Sequence, residues 1–299
     1  MSIINAQNRF VPAELHDPEW YPFDKESPMY FKVEEYPLNI ESKVSVGSHM
    51  HVDGYKALVR KHGDRPVVLA VVGDGYKVVQ NKELFNSIEN MLLRSYTRHE
   101  LEGVKVHDRM ARHGAYCLRE YILPNINVRI DEQSRALYRI IAFNGFGTTA
   151  FKLITGAIDA WCINGMIIGE HATWYRRHTG GLQIEDIVER LRITANEFVE
   201  HANMWRQWKN LVVTDTARVL DFLSKHYSER ASSVLIARFE HELRTRGSNL
   251  WALYSALTWH ATHHTVRRTK EDGEAITRIQ RERHVAGVIN APEWMKLAA

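Results

Sequence analysis

The chain has 299 residues, 44% of them apolar and 25% charged, with a formal net charge of +3. That length allows one large domain or two ordinary ones, with enough apolar residues for a real core. No window approaches the roughly 18 uninterrupted apolar residues of a membrane helix, two cysteines cannot form a disulfide framework or a four-cysteine zinc site, and MSIINAQNRF lacks a signal peptide's basic-then-apolar layout. A cytoplasmic protein is expected, with Cys117 and Cys162 reduced and buried.

Residues 1–28 are rich in Pro, Asp and Glu with scattered aromatics (HDPEWYPFDKESP) and read as an irregular arm. MYFKVEEYPLNI alternates as a strand that ends near Pro37. VVLAVVGDGYKVVQN, residues 67–81, is the clearest β signal. A β-branched run, a Gly-Asp-Gly turn and a second short run predict a hairpin. NKELFNSIENMLLRSY places Leu84, Phe85, Ile88, Met91 and Leu92 at helical spacing, with Asn81 as the N-cap. HGAYCLREYIL and ALYRIIAFN are two further strands, separated by the polar stretch PNINVRIDEQS. GTTAFKLITGAIDAWCINGMII reads as a strand followed by a tightly packed segment.

From Ile184 the pattern is helical almost to the end. IEDIVERLRITANEFVEHANMWRQW keeps an apolar stripe for several turns, and DTARVLDFLSKHY is a helix capped by Asp215. NLWALYSALTWHATHHTVRR starts another after Gly247-Ser248. The layout predicts an α+β fold: an irregular acidic and aromatic arm (1–28), a β-rich core with an antiparallel sheet (29–181), and a helical region (182–299). The helices are expected to pack on the sheet, as part of one domain or as a separate region.

The small net charge is unevenly spread. Residues 1–60 carry six Lys/Arg against nine Asp/Glu, residues 105–178 ten against six, and residues 238–284 nine against six. The basic stretches also hold Tyr, Trp and many of the 16 histidines. Such a mixture suits a phosphate-bearing partner, because cations follow the backbone while rings stack on bases. It also fits a mixed, solvated surface.

Gly73-Asp74-Gly75 is followed by Tyr76, Lys77 and Val78, so it does not make GxGxxG, and no Walker-type lysine motif occurs. No cofactor is expected. His260, His263 and His264 share a face of a predicted helix and are weak metal candidates. They come without HExxH or a recurring Glu-x-x-His pair, and a basic face continued by Arg267 and Arg268 is the better reading. Cys162 beside Trp161 favours a buried thiol, and no GxSxG elbow presents a serine. No catalytic residue is therefore assigned. TWYRRHTGG, residues 173–181, is the most informative cationic cluster. Arg176, Arg177 and His178 supply donors, Thr179 can bond a phosphate oxygen, and Gly180 and Gly181 allow close approach. Trp174 and Tyr175 can stack on bases. The same residues also fit a structural turn leading to the helix at Ile184.

Four blocks occur in order: VVGDGYKVVQNKELF (71–85), WCING (161–165), RRHTGG (176–181) and NLWALYSALTWHATHH (249–264), with KVEEYPL (32–38) ahead of them. Together they resemble the phage/plasmid-like family known as a domain of unknown function, DUF932, over residues 30–265. Relatives tend to carry valine-cysteine-glutamine-asparagine where this chain has Trp161-Cys162-Ile163-Asn164. They also often carry Asp-Gly where it has Asn144-Gly145. The resemblance implies a mobile-element setting and a host cytoplasm, and it brings no reaction, cofactor or catalytic residue. Genes of that setting often serve replication, recombination or host takeover. The expected function is single-stranded DNA binding or annealing by a homo-oligomer, with Trp174, Tyr175, Arg176, Arg177, His178, Thr179, Arg267 and Arg268 on the strand. Two alternatives stand beside it: a metal-dependent enzyme acting on nucleotides or nucleic acid, and an inhibitor or adaptor that binds a host protein through Trp20, Tyr21 and Phe23.

Overall fold

The β signals assemble into two antiparallel sheets. β1 (Val33–Glu41), β2 (His49–His62) and β3 (Arg65–Gly73) form a three-stranded sheet in sequence order. β4 (Lys105–Ala111), β5 (Tyr116–Arg129), β6 (Arg135–Gly145), β7 (Phe151–Asp159) and β8 (Gly165–Met166) follow one another across a second sheet. β9 (Trp174–Arg176) shares the outer edge of β7 with β8, pairing at Phe151–Leu153 while β8 pairs at Ala157–Ile158. Helices α1 (Asn81–Ser95) and α2 (Arg98–Leu101) lie between the sheets in sequence. α3 (Ile184–Asn210), α4 (Thr216–His226), α5 (Glu229–Arg246), α6 (Leu250–His263) and α7 (Glu274–Ile289) follow them. The fold is α+β. The computed structural model describes residues 20–41, 49–62, 65–132, 134–147, 151–160, 165–166, 174–176, 184–264 and 274–298.

The large sheet is covered on both faces, so its middle strands read as nearly unbroken apolar runs. Strand alternation divides them. Cys117, Tyr121, Leu123, Tyr138, Ile140 and Ala142 join one cluster of buried side chains with α1 and α3–α6, running from Phe23 to Leu297. Leu118, Ile141, Phe143 and Ile154 form a second cluster on the other face, against Ile279 of α7. The hydroxyl of Tyr138 bonds Thr194 Oγ1 of α3 at 2.8 Å, and Tyr96 Oη donates to the Leu191 carbonyl at 3.1 Å.

Several sequence expectations need correction. β1 does not end near Pro37. It runs on to Glu41 through a register shift between Pro37 and Asn39, which an edge strand tolerates because proline's missing donor is not needed there. The expected hairpin across Gly73-Asp74-Gly75 does not form. β3 ends at Gly73 and pairs with β2, while residues 76–80 lead to α1 without joining a strand. Tyr76 and Gln80 are held instead by side-chain bonds, Tyr76 Oη to Gly145 and Gly147, and Gln80 to both backbone groups of Val33. The polar PNINVRIDEQS does not separate two strands: β5 continues to Arg129 past a bulge between Leu123 and Asn127. There Asn125 Nδ2 donates to the His99 and Glu102 carbonyls at the end of α2. Asn81 is the first residue of α1 rather than its cap. It is buried, and its amide donates to the Met29 carbonyl and Cys117 Sγ. Asp215 does cap α4, accepting from Arg218 N at 3.0 Å.

Three arginine-centred ion networks hold the layers together. Arg119 of β5, on the α1 face, bonds Asp108 of β4 and Glu89 of α1, all at 2.8 Å. Its neighbour Glu120 faces the other way and bonds Arg139 of β6 at 3.1 Å. Arg139 also pairs with Glu282 of α7, which in turn accepts from Arg278 at 3.0 Å. Burial pulls the Arg139 pKa down, but Glu282 and Glu120 outweigh it and hold the guanidinium firmly charged. Burial raises the Glu282 pKa, yet Arg139 and Arg278 keep its carboxyl below the ordinary value. Arg246 of α5 forms the third network with Glu242, Asp159 of β7 and Ser134.

Removing one partner of such a buried network strands the others without water, which costs about 3–5 kcal/mol. Arg139→Ala is expected to lower unfolding free energy by that amount in urea titrations. Lys225→Ala, which breaks the exposed Lys225–Asp221 pair at 2.7 Å, is expected to leave the midpoint unchanged.

Candidate functional site

The short turn between β4 and β5 is the most strained backbone among the described residues. Arg112 and His113 both have positive φ, 51° and 58°, and Gly114 follows at 97°. For a residue with a Cβ such a conformation costs roughly 1–2 kcal/mol, so the surroundings must enforce it. Arg60 of β2 does so: its Nη1 donates to the His113 carbonyl at 3.0 Å, and its guanidinium lies 3.9 Å from the Phe31 ring centroid. The result is that Arg112 is presented at the end of the large sheet, 5.1 Å above the Tyr116 ring with Nη1 donating to its hydroxyl at 3.3 Å.

A cavity of about 230 Å³ opens beside it, lined by Arg112, Tyr116, Phe143, Lys152, Ile154, Ile279, Gln280 and Arg283. Three cations and two aromatic rings thus meet over an aliphatic floor, and no carboxylate is among the lining residues. Lys152 stands on β7, otherwise almost wholly buried, with its ammonium 6.0 Å from the Phe143 ring centroid. Burial lowers the Lys152 pKa, and the charge of Arg283 lowers it further. A like-charge cluster of this kind is relieved when an anion enters it. The volume falls below the roughly 300–1,000 Å³ of a whole small-molecule site, so it suits one part of a longer ligand.

The family model for a domain of unknown function, DUF932, matches residues 68–284. The chain belongs to the DUF932 family. Every residue lining the cavity lies inside that match. No curated protein and no solved structure matches this DUF932 chain.

The expected cationic cluster is only partly placed. Arg177, His178, Thr179, Arg267 and Arg268 lie outside the described residues, as does Cys162. Trp174, Tyr175 and Arg176 form β9, whose backbone register sets Tyr175 opposite Lys152 and Arg176 opposite Phe151. The start of TWYRRHTGG is thereby carried to the strand that bears Lys152. Sequence reading missed Arg112, Lys152 and Arg283, which are far apart in the chain. The available signal was Lys152, the lone cation in the strand FKLITGAID.

The three histidines do not converge. His260 is buried, His263 is exposed and lies 5.9 Å from Trp259, and His264 stacks on His260 at 4.5 Å. Among the described residues no three His, Cys, Asp or Glu side chains are placed to hold a metal ion. The arm aromatics Trp20 and Tyr21 are half-buried and Phe23 is buried, each in contact with its own chain. Phe23 is buried against Tyr121, Tyr21 donates to Glu89, and Trp20 lies under Arg98 at 5.2 Å. Cys117 is buried, its thiol pushed up to about 12 by burial, and is not a nucleophile. Among the described residues no helix is long and apolar enough to cross a membrane.

Burial, and then His264, Arg281 and His284, lower the His260 pKa from 6.5 to about 4. Between those values the unfolded chain binds a proton that the folded chain refuses. Stability from this group is therefore complete above pH 6.5 and is lost as pH falls toward 4. The expected loss is about 2 kcal/mol after allowance for solvent in the adjoining cavity. Chemical denaturation of wild type and His260→Gln across that range should differ by this amount; parallel curves would contradict it.

Proposed function

We propose that this DUF932 protein binds single-stranded nucleic acid, with single-stranded DNA as the leading ligand. The observation that carries the reading is the cavity at Arg112, Lys152 and Arg283, walled by Tyr116 and Phe143 without an acidic side chain. Cations spaced around aromatic faces supply the two interactions that sequence-independent strand binding needs: phosphate neutralisation and base stacking. The strained turn at Arg112 and His113 adds support, since the fold spends backbone energy to hold that arginine in place. β9 pairs with β7 at Lys152, which lines the cavity, so residues 174–176 are assigned to the same strand path.

Self-association belongs to the proposal. Tyr36, Tyr55, Val68 and Val71 are exposed on one face of the three-stranded sheet, where the register sets Tyr36 and Val71 on either side of Ala57. A patch of that kind is unusual on a monomer and suits a second copy in a homo-oligomer that tracks a strand. A phage or plasmid replication or recombination role, in a host cytoplasm, fits both features.

Fluorescence anisotropy with labelled homopolymeric DNA tests the reading. Binding should weaken with salt with a log–log slope of about −2, about −0.7 for each of three neutralised phosphates. Lys152→Ala should weaken binding and reduce that slope by about 0.7. Arg112→Gly should weaken binding while leaving stability within about 1 kcal/mol of wild type, because glycine relieves the strained φ. Micromolar or weaker binding that ignores salt would end the proposal. For self-association, sedimentation velocity should give an oligomer that Val71→Lys dissociates; a wild-type monomer at all concentrations would remove that part.

A further inference from the structure

On the far side of α7 lies a second cavity, of about 270 Å³, lined by Tyr227, His260, Ala261, Thr277, Gln280, Arg281, His284 and Val285. Two of its lining residues each carry a buried polar atom with an unmet need. His260 Nε2 and Tyr227 Oη are both shielded from water, and neither finds a hydrogen-bond partner among the described residues. His260 is only 7% exposed. A buried polar atom without a partner costs about 1–3 kcal/mol, and two at one cavity invite an outside ligand. The Tyr227 ring meets His260 edge-on at 6.0 Å and His284 at 4.8 Å between centroids, so part of the wall is aromatic. His284 is oriented by its Nε2 contact with the His226 carbonyl at 2.9 Å.

We infer that this cavity receives a planar, uncharged heterocycle with hydrogen-bonding groups on one edge, namely a nucleobase. The chemistry of the walls selects it. His260 is held neutral chiefly by burial, with the nearby Arg281 guanidinium acting in the same direction, so it offers a single uncharged donor or acceptor. The Tyr227 hydroxyl can both donate and accept. Ala261 and Val285 provide apolar surface, which a stacked ring uses and a free phosphate does not. Gln280 lines this cavity and the cationic one alike, so α7 carries the rim between them. A strand whose successive phosphates follow Arg112, Lys152 and Arg283 can turn a base across Gln280 toward Tyr227 and His260. The inference rests on the strand-binding reading for the source of the base, while a free nucleotide presents the same ring.

Tyr227→Phe is the deciding variant, because it deletes one hydroxyl that has no hydrogen-bond partner among the described residues and should not lower the melting temperature. Affinities of wild type, Tyr227→Phe and Lys152→Ala are measured for oligo-dT, oligo-dC and oligo-dA over a salt series. Tyr227→Phe should weaken the preferred homopolymer about three- to tenfold, shift the order among the three, and leave the salt slope unchanged. Lys152→Ala should weaken all three alike. If Tyr227→Phe leaves every affinity and their order unchanged while Lys152→Ala acts as expected, the base site is wrong and strand binding stands. If no oligonucleotide binds, strand binding fails, and thymidine, deoxycytidine and deoxyadenosine are titrated against histidine-labelled protein by NMR. His260 ring shifts with one nucleoside, lost in Tyr227→Phe, support the cavity with a free nucleotide as source; none overturns it. Equal shifts with inorganic phosphate alone would mark an anion site and overturn it as well.

Discussion

The structure depends on burying charge inside a sheet without leaving any charge alone. Adjacent residues of β5 do this in opposite directions. Arg119 points to α1 and Glu120 to α7, because successive side chains in a strand alternate. Each would be costly by itself. Each is matched, Arg119 by Asp108 and Glu89, and Glu120 by Arg139, which continues to Glu282. Ion pairs in such positions are a poor source of net stability but a strict judge of arrangement, since a misplaced helix leaves a bare charge in the core. A one-residue slip of β5 would send both charges to the wrong layers.

This constraint reaches the candidate site through α7. Glu282 fixes the helix to Arg139, and within one turn of it lie Ile279, Gln280 and Arg283, which line the two cavities. Gly165 belongs to the same device. A Cβ there would fall 2.8 Å from Arg139 Nη1 and closer still to the Glu282 carboxylate. Its N–H donates to Thr262 Oγ1 of α6 at 3.0 Å. The glycine that closes the WCING block therefore serves close packing around an ion network rather than ligand contact.

Local pattern carried much of the fold. The helices after Ile184, the Asp215 cap and the strands at Tyr116, Arg135 and Phe151 follow from periodicity, because each spends its apolar residues on a regular face. What local pattern missed was decided by pairing. Pro37 sits inside β1 because that strand is an edge with a bulge, and Pro124 sits inside β5 beside another bulge. β2 escaped notice because its outward face carries exposed Tyr55 and His51, so it lacks a clean alternation. The site was harder still. The candidate cluster at 174–181 was legible as consecutive residues, whereas Arg112, Lys152 and Arg283 come together only through the register of β5, β6 and β7 and the docking of α7.

The proposed binding surface differs from a merely basic one in the placement of these three cations. Solvated arginines and lysines on a surface normally lie near carboxylates, and the networks around Arg119, Arg139 and Arg246 show that this chain pairs its buried cations closely. Arg112, Lys152 and Arg283 line a single cavity with no carboxylate among its described lining residues, and one of them sits on a strained turn. Repulsion among them is a standing cost in the unliganded protein that a phosphate would remove. Across Gln280, His260 and Tyr227 each keep a buried polar atom without a hydrogen-bond partner among the described residues. Gathered cations on one side of α7 and two buried polar atoms on the other are the pair of chemistries on which the proposed nucleotide contact rests.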